Sequence, residues 1–493
     1  MVLENCKPLK VFHYFELISR IPRGSGNEGR ISDWLYAFAK DRGLETFQDE
    51  WNNVIIKKPG AHGLENAAPV ILQGHMDMVC EKNADTVHDF LKDPLRLVLS
   101  GDFISADGTT LGADNGIAVA MILAVLDSGD IAHPPIEALF TADEEAGMSG
   151  AANVDCSLFS GRKLINLDSE EEGVFCASCA GGLKTTIKLP IKRSFLPEAF
   201  GCFSLRIKGL KGGHSGMEID KQRANSLHLM GRLLREALKE KDIHAFSVNG
   251  GLKTNAIPRE SEAILALTQH SYKTAAMLVK KYEEIYKSEY RTNDSDICLE
   301  LSRVENAKAN EASCLAPDAL PQVLASDDAE KVADLLVSIP TGVLYMSLDL
   351  PGLVETSTNL GVVRTLENHL TFASASRSSV SSRKAALCGR LESLARLAGA
   401  EIAHEGEYPE WTYNPDSKLR KKLVELWEST GTTAKIEATH AGLECGLFAE
   451  KMPGVDMISL GPNIYGVHSP EERISISSVE RVWDFLIACL KIV

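Results

Sequence analysis

The sequence predicts an α/β protein: a main domain with a mostly parallel central sheet flanked by helices, plus an inserted α/β domain with an internal duplication. Three observations support this fold class. Before Leu189 the chain alternates short apolar runs with segments of helical spacing, near Leu189 this texture changes, and after Tyr413 it returns. Alternating strand and helix signals are typical of a parallel sheet covered by helices.

The elements of the main domain have clear hydrophobic patterns. Pro69–Gly74, Ile136–Ala142 and Lys163–Leu167 are short apolar runs, as expected for strands that a parallel sheet buries on both faces. Asn115–Ser128 is apolar throughout and long enough for a buried helix. We therefore predict a discontinuous main domain formed by residues 1–186 and 409–493.

The inserted domain, residues 187–408, contains two stretches with the same order of signals. Thr254-Asn255 and Thr358-Asn359 each precede a strand, a helix and a further strand. The interpretation is a duplicated α/β unit. We expect its halves to be related by a pseudo-two-fold axis, with Asn255 matching Asn359.

Composition and charge exclude several classes of partner. The chain has 493 residues and a net charge of −16, so it lacks the cationic surplus expected of proteins that bind nucleic acid or anionic membranes. No secretory signal is visible in the first residues, and no apolar run reaches the ~18 residues needed to cross a bilayer. The 11 cysteines are scattered without regular spacing, which favours reduced thiols and a cytoplasmic location.

Gly24–Gly29 reads GSGNEG and matches the dinucleotide-binding pattern G-x-G-x-x-G. The preceding residues have helical rather than strand spacing, so the structural context that this pattern requires is absent. Ser25 and Glu28 are instead interpreted as a capping box for the next helix.

Metal-ligating residue types follow several predicted strands, where open α/β sheets bind their ligands. A His can bind a metal through one ring nitrogen while a nearby carboxylate accepts the N–H of the other. Of two adjacent glutamates, one can bind metal and the other can move a proton. The motifs are Gly74-His75-Met76-Asp77, Gly112-Ala113-Asp114-Asn115-Gly116 and Asp143-Glu144-Glu145-Ala146-Gly147, joined by Asp168 in LINLD and the late His468.

The order of these motifs resembles that of the M20 family of dinuclear zinc peptidases: GHMD, GADNG, DEEAG, NLD and a late His. The strings KGGHSG and HAGLECG resemble its Xaa-His dipeptidase branch in particular. The resemblance covers nearly the whole chain. It implies a metallopeptidase that hydrolyses a small peptide with a metal-bridging hydroxide, and it implies that the inserted domain is a lid.

Site roles follow from this resemblance, motif by motif. It implies two Zn²⁺ per chain, with Mn²⁺ or Co²⁺ as substitutes. Asp77 would orient a ligand, Glu144 would be the general base, and His214 of KGGHSG would stabilise the oxyanion. The resemblance also implies a cis peptide bond between Asp114 and Asn115. The implied ligands are His75 and Asp168 for one zinc, Glu145 and His468 for the other, and Asp114 as the bridge.

Substrate recognition is predicted to involve the inserted domain. An Arg guanidinium can bind a free carboxylate through two parallel hydrogen bonds, and Arg377 is the best candidate for this role. Asn255 and Asn359 are expected to line the cleft. The expected substrates are Xaa-His dipeptides such as β-Ala-His. An aminoacylase or tripeptidase of the same family, and a non-catalytic metal-binding protein, remain alternatives. The duplication predicts that His214 and Arg377 serve their own chain, which leaves a homodimer open but not required.

Overall fold

The computed structural model describes residues 2–196, 200–304 and 322–493. The chain forms two compact units, each with its own hydrophobic core. Unit 1 contains Met1–Cys179, Tyr413–Ala438 and Leu443–Val493, and unit 2 contains Ala180–Thr412 and Thr439–Gly442.

The described part of the first segment of unit 1 contains four α-helices and eight strands. They are α1 (Leu9–Ile18), α2 (Gly29–Asp41), β1 (Glu45–Gln48), β2 (Val54–Lys58), β3 (Val70–His75), β4 (Leu97–Ser100), β5 (Phe103–Ala106), α3 (Ala113–Leu126), β6 (Ile136–Thr141), α4 (Ser149–Asn153), β7 (Lys163–Asn166) and β8 (Val174–Cys179).

The elements that follow belong to unit 2, apart from the end of the chain. They are β9 (Gly181–Pro190), β10 (Arg193–Phe195), β11 (Gly201–Lys208), β12 (Gly213–His214), α5 (Ser226–Ala237), β13 (Ile243–Gly250), β14 (Ala256–Ile257), β15 (Ser261–Leu267), α6 (Gln269–Glu289), β16 (Cys298–Arg303), β17 (Gln322–Leu324), α7 (Ser326–Ser338), β18 (Gly342–Met346), β19 (Val354–Thr365), β20 (His369–Ser378), α8 (Ser381–Ala398) and β21 (Glu401–Tyr408). The chain then completes unit 1 with α9 (Lys418–Glu428), β22 (Lys435–Thr439), α10 (Glu444–Lys451), β23 (Asp456–Ser459), β24 (Ile464–Tyr465), β25 (Arg473–Ser475) and α11 (Ile476–Leu490).

The main sheet of unit 1 has a parallel centre. Its order is β1-β2-β6-β3-β7-β23-β8-β22. Strands β6, β3, β7 and β23 pair in parallel, and antiparallel strands flank them on both sides. All six residues of β3 and of β6 are buried, as the continuous apolar runs predicted. The predicted α/β fold with a mostly parallel central sheet and flanking helices is confirmed.

Helix α3 packs closely against β3. A Cβ atom at Gly74 would lie 2.6 Å from Oδ1 of Asn115 and 2.7 Å from Cβ of Ala118, so this approach of helix to strand requires glycine. The Asn115 side chain joins two strand ends at this point. Its Oδ1 accepts from the backbone N–H of His75 (3.2 Å), and its Nδ2 donates to the carbonyl of Leu167 (2.9 Å).

The sheet of unit 2 has a repeated topology. Its order is β16-β11-β15-β13-β19-β20-β9-β21, with β18 added beside β19. One half contains β11, α5, β13, β15, α6 and β16, and the other contains β9, α7, β19, β20, α8 and β21 in the same order. The halves meet where β13 and β19 pair antiparallel at Gly250 and Val363.

Two details of the sequence interpretation require correction. The units divide at 179/180 and 412/413 rather than at 186/187 and 408/409, because β9 belongs to the unit 2 sheet as the first strand of the second half. Asn255 and Asn359 are not equivalent: Asn255 lies in the connection between β13 and β15, whereas Asn359 lies inside β19 opposite Ala375. Shared Thr-Asn letters therefore do not mark matching positions of the repeat.

None of the helices in the described part of the chain is long and apolar enough to cross a bilayer. The described cysteines form no disulfide with one another. Cys176 and Cys179, the Cys-x-x-Cys pair, are both buried at the end of unit 1's first segment.

Candidate active site

Five side chains converge at the carboxyl edge of the parallel strands of unit 1. His75 ends β3, Glu145 follows β6 and Asp168 follows β7, while Asp114 lies in the first turn of α3 and His468 follows β24. Ligand atoms of His75, Asp114 and Asp168 lie within 4.8 Å of one another, and so do those of Asp114, Glu145 and His468. The structure thus brings all five predicted ligands together, around two positions that share Asp114.

The imidazole of His75 is fully buried and held between carboxylates. Its Nε2 atom lies 3.1 Å from Oδ1 of Asp114 and 3.4 Å from Oδ1 of Asp168. Its Nδ1 atom lies 3.2 Å from Oδ1 of Asp77, which is itself inaccessible to solvent. One ring nitrogen therefore faces the ligand cluster while a carboxylate contacts the other.

His468 faces the other side of Asp114. Its Nε2 atom lies 3.0 Å from Oε2 of Glu145 and 3.4 Å from Oδ2 of Asp114. The two carboxylate oxygens of Asp114 therefore point to different imidazoles, which is the arrangement that a bridging ligand needs. The peptide bond between Asp114 and Asn115 is cis, as predicted.

Asp77 links His75 to the glutamate pair. It accepts the backbone N–H groups of Glu144 (3.1 Å) and Glu145 (3.2 Å) as well as the hydroxyl of Ser25 (2.8 Å). The predicted capping box is therefore wrong, because Ser25 donates to Asp77 and makes no cap for α2. Glu28 is itself the N-cap residue, and its side chain accepts from the backbone of Gly26.

The crowding of carboxylates changes the proton affinities of the cluster. Hydrogen bonds to Asp114 and Glu145 raise the pKa of His468 to about 10. Burial, together with the charges of Asp114 and Glu145, raises the pKa of Asp168 to about 6. Burial also raises the pKa of Glu144 well above its ordinary value, with contributions from Asp168 and Glu145. The cluster therefore has an excess of negative charge that bound cations would neutralise.

The donor set fits divalent transition metals. Imidazole nitrogen and carboxylate oxygen are both zinc ligands, and the same set accepts manganese or cobalt. His75 and Asp168 would hold one ion and Glu145 and His468 the other, with Asp114 shared.

Glu472 and Arg23 support the cluster, and the motif search did not single them out. The buried Glu472 accepts the backbone N–H groups of four consecutive residues: Oε2 from Leu111 (2.8 Å) and Gly112 (2.9 Å), Oε1 from Ala113 (2.7 Å) and Asp114 (3.3 Å). The fully buried Arg23 donates to the carbonyls of Met76 and Asp77, both at 3.0 Å, and to that of Gly112. Together they fix the backbone of the His75 and Asp114 loops.

Glu444, within HAGLECG, is a second buried acid that the motif search did not assign. Its Oε2 atom accepts from Nε2 of Gln73 (2.6 Å) and from the hydroxyl of Thr141 (2.7 Å), near the ends of β3 and β6. Burial raises its pKa to about 8. The neutral carboxyl form is thus favoured behind the ligand cluster.

In unit 2, His214 is held in one tautomer. Its Nδ1 atom accepts from the backbone N–H groups of Met217 (3.1 Å) and Gly216 (3.3 Å), so the ring proton lies on Nε2. Burial and the charge of Arg377 lower the pKa of His214, which keeps the ring neutral. It can therefore donate a hydrogen bond through Nε2.

Arg377 has an incompletely paired guanidinium. Its Nη1 atom donates to the hydroxyl of Tyr408 (2.9 Å) and to the carbonyl of His440 (3.4 Å). Its buried Nε atom has no partner among the described residues. His440, which the motif search left without a role, bonds through Nε2 with the hydroxyl of Ser357 (2.7 Å).

The two asparagines differ in their surroundings. Asn255 is exposed and lines a cavity with Arg377. Asn359 is buried, and its Nδ2 donates to the carbonyls of Thr254 (2.9 Å) and Ala256 (2.8 Å). Asn359 thus holds the backbone on either side of Asn255 and is not exposed to a ligand, contrary to its predicted place in the cleft.

Residues 71–491 match the model of Peptidase family M20/M25/M40. The chain belongs to this family. This M20 chain is 39% identical over 490 residues to the cytosol non-specific dipeptidase of Escherichia coli (strain K12), covering 99% of this chain and 98% of that one.

Two solved structures share the fold of the chain. The aminoacylhistidine dipeptidase of Vibrio alginolyticus superposes with a TM-score of 0.92 at 40% identity, covering 99% of this M20 chain and 97% of the other. The aminopeptidase PepT of Bacillus cereus shares the fold with a TM-score of 0.56 at 14% identity, covering 99% and 98%.

Proposed function

We propose that this M20 peptidase is a dipeptidase that binds two metal ions at the cluster of unit 1. The observation that carries the proposal is Asp114, whose two oxygens face His75 and His468 separately. Bound zinc, manganese or cobalt ions would supply Lewis-acid activation of water and of the peptide carbonyl. A dipeptide substrate is supported by the similarity of the chain to the Escherichia coli and Vibrio dipeptidases.

Glu144 is the proposed general base. It accepts a proton from the attacking water and transfers it to the leaving amine. Its raised pKa supports the first step, because a carboxylate with a raised pKa is a stronger base than an ordinary one. Asp77 orients both His75 and the backbone of the glutamate pair, as its contacts with all three indicate.

Unit 2 is proposed to bind the substrate. His214 donates from Nε2 to the oxyanion, and the guanidinium of Arg377 binds the free α-carboxylate, since guanidinium and carboxylate pair through two parallel hydrogen bonds. Asn255 contacts the substrate, and Asn359 holds the Asn255 loop in place.

The proposed substrates include Xaa-His dipeptides such as β-Ala-His, and the proposed location is the cytoplasm. The Vibrio relative is named for aminoacylhistidine substrates and the Escherichia coli relative for the cytosol. The repeat in unit 2 supports the proposal that His214 and Arg377 serve their own chain. A homodimer is compatible with this function but not required by it.

Glu144→Ala and Glu145→Ala test the assignment. We expect Glu144→Ala to lose at least ~10²–10⁴-fold in kcat, as general acid–base groups do, while keeping its metal. Glu145→Ala should lose bound metal. Turnover is measured on a dipeptide panel that includes β-Ala-His, and metal content by mass spectrometry of the dialysed protein. Equal metal loss in both variants would contradict the separate roles, and metal without turnover of any dipeptide would contradict the dipeptidase proposal.

A further inference from the structure

A cavity of about 370 Å³ in unit 2 has a cationic lining. Arg377, Lys184 and Lys253 border it together with Tyr408 and Asn255, and no Asp or Glu is among its lining residues. The whole chain carries a net charge of −16, so a cavity lined by three cations and no acid differs from the average surface. Such a lining suits an anionic ligand.

The strand register places two of these cations on one face of the sheet. In the pairing of β20 with β9, Arg377 lies opposite Gly182 and Ala375 lies opposite Lys184. Residues two apart along a strand share a face, so Arg377 and Lys184 are diagonal neighbours on the same side. A Cβ atom at Gly182 would lie 2.5 Å from the hydroxyl oxygen of Tyr408. Glycine therefore leaves room for the Tyr408 hydroxyl that Arg377 contacts.

Lys184 and Lys253 have no ionic partner in the part of the chain that the structure describes. Neither Lys184 nor Lys253 forms an ion pair or a side-chain hydrogen bond with any residue in the described ranges. Other lysines of unit 2 do: Nζ of Lys188, further along β9, lies 3.8 Å from Oε2 of Glu401, and Nζ of Lys384 lies 3.0 Å from Oε2 of Glu410. Glu405 of β21 lies opposite Lys184 in the strand register but forms no ion pair with it, so Lys184 and Lys253 remain available to an external anion.

We propose that this cavity binds the acidic side chain of a substrate's C-terminal residue, with Lys184 and Lys253 as specificity-determining residues. The inference rests on the proposed function, in which Arg377 binds the α-carboxylate. In Asp or Glu the second carboxylate is only one or two methylene groups from the Cα atom. Binding the first at Arg377 brings the second to the neighbouring lysines. The substrate class is therefore dipeptides that end in Asp or Glu.

The size of the effect follows from the exposure of the lysines. Ion pairs between solvent-accessible groups are weak and screened by salt, so each lysine should contribute about two- to five-fold to kcat/KM. The two together should contribute about four- to 25-fold if they act independently. The gain should appear mainly in KM, because the lysines contact a part of the substrate that does not react.

The test compares isosteric substrates in the metal-loaded full chain. kcat/KM is measured for Ala-Glu against Ala-Gln and for Ala-Asp against Ala-Asn, in wild type, Lys184→Gln, Lys253→Gln and the double variant. Lys188→Gln is the matched control, since it removes a lysine from the same strand. We expect wild type to prefer the acidic dipeptides, the double variant to lose about four- to 25-fold on them alone, and 0.5 M NaCl to reduce the wild-type preference.

The outcomes separate this inference from the proposed function. Hydrolysis of all four dipeptides with an acid-to-amide ratio unchanged by the double substitution overturns the inference alone. Equal losses on acidic and amide substrates also overturn it, because the lysines would then act on the α-carboxylate or on the fold. Failure of the metal-loaded wild type to hydrolyse any of the four overturns the inference, and failure on β-Ala-His as well overturns the proposed function.

Discussion

At the scale of single residues, the candidate metal site depends on carboxylates whose partners are backbone groups as well as other ligands. Asp114 contacts two imidazoles, while its own backbone N–H and those of the three preceding residues are held by Glu472. Glu472 is four residues beyond His468 in the sequence. One short segment therefore supplies both a candidate ligand and the support for the bridging residue.

Glu472→Gln should weaken metal binding without changing the size of the side chain. An amide NH₂ in place of either oxygen would face two backbone N–H donors, so the loop that carries Asp114 loses its support. We expect metal affinity to fall about 10–100-fold, as for other residues that orient ligands. Calorimetric titration of the metal-free protein with Zn²⁺ measures this. Glu471→Gln, at the exposed neighbouring position, is the control, and equal affinities in the two variants would refute the role of Glu472.

His440 should make unit 2 less stable in acid. Burial, with a further contribution from the charge of Arg377, lowers its pKa to about 3. The unfolded chain has a His pKa of about 6.5, so between the two values the unfolded state binds more protons and stability falls as pH falls. At pH 5 the loss is about 2 kcal/mol. The free energy of unfolding is measured with urea at pH 5 and pH 7.5 in wild type and in His440→Gln. The difference between the two pH values should be smaller in the variant by that amount. An equal difference in both proteins would contradict the role of His440.

At the scale of elements, the contact between α3 and β3 leaves no room for a larger side chain at Gly74. Gly74→Ala places a methyl group against Asn115 and Ala118, and Asn115 holds the backbone of His75. Overpacking of this kind costs about 1–3 kcal/mol, and we expect metal affinity to fall as well. Gly129→Ala, where an added Cβ meets nothing within 4 Å, is the control. Urea unfolding measures the difference, and similar midpoints for the two variants would show that the contact can relax.

Elements with strong local patterns could be predicted from the sequence. The apolar runs gave β3, β6 and β7 to within a residue or two, because strands buried on both faces must be apolar throughout. The motifs after those strands also indicated the ligand cluster. Strand β9 was harder to place, since it pairs with β20 and β21, more than 170 residues further along the chain, and nothing local separates it from the preceding elements.

Residues that act through long-range contacts could not be found in this way. Ser25 stands three residues before Glu28, as in a capping box, yet its hydrogen-bond partner is Asp77, 52 residues away. Glu472 reaches across 358 to 361 residues to the Asp114 loop, and a lone buried Arg23 has no local signature. Residue type and local spacing therefore identify the candidate metal ligands. They do not identify the carboxylates and the guanidinium that bind the backbone of the ligand loops.

At the scale of the whole molecule, two separate cores predict two unfolding transitions. The ligand cluster lies entirely in unit 1, so metal should stabilise that transition only. At a free metal concentration 100 times Kd the gain is about 2.7 kcal/mol, which corresponds to a shift of roughly 5–10 °C. Differential scanning calorimetry with Zn²⁺ and with a chelator measures both transitions. An equal shift in both, or a single transition in each condition, would contradict independent units.

The insertion of unit 2 also has a consequence for biosynthesis. His75, Asp114, Glu145 and Asp168 all precede unit 2, whereas His468 lies 300 residues after Asp168. At ~5–20 residues per second, the ribosome needs about 15–60 s to cover that interval. Strand β23, which occupies the parallel sheet beside β7, is also made after unit 2. In the nascent chain, the position defined by His75, Asp114 and Asp168 can therefore form first, and the position that needs His468 is completed last.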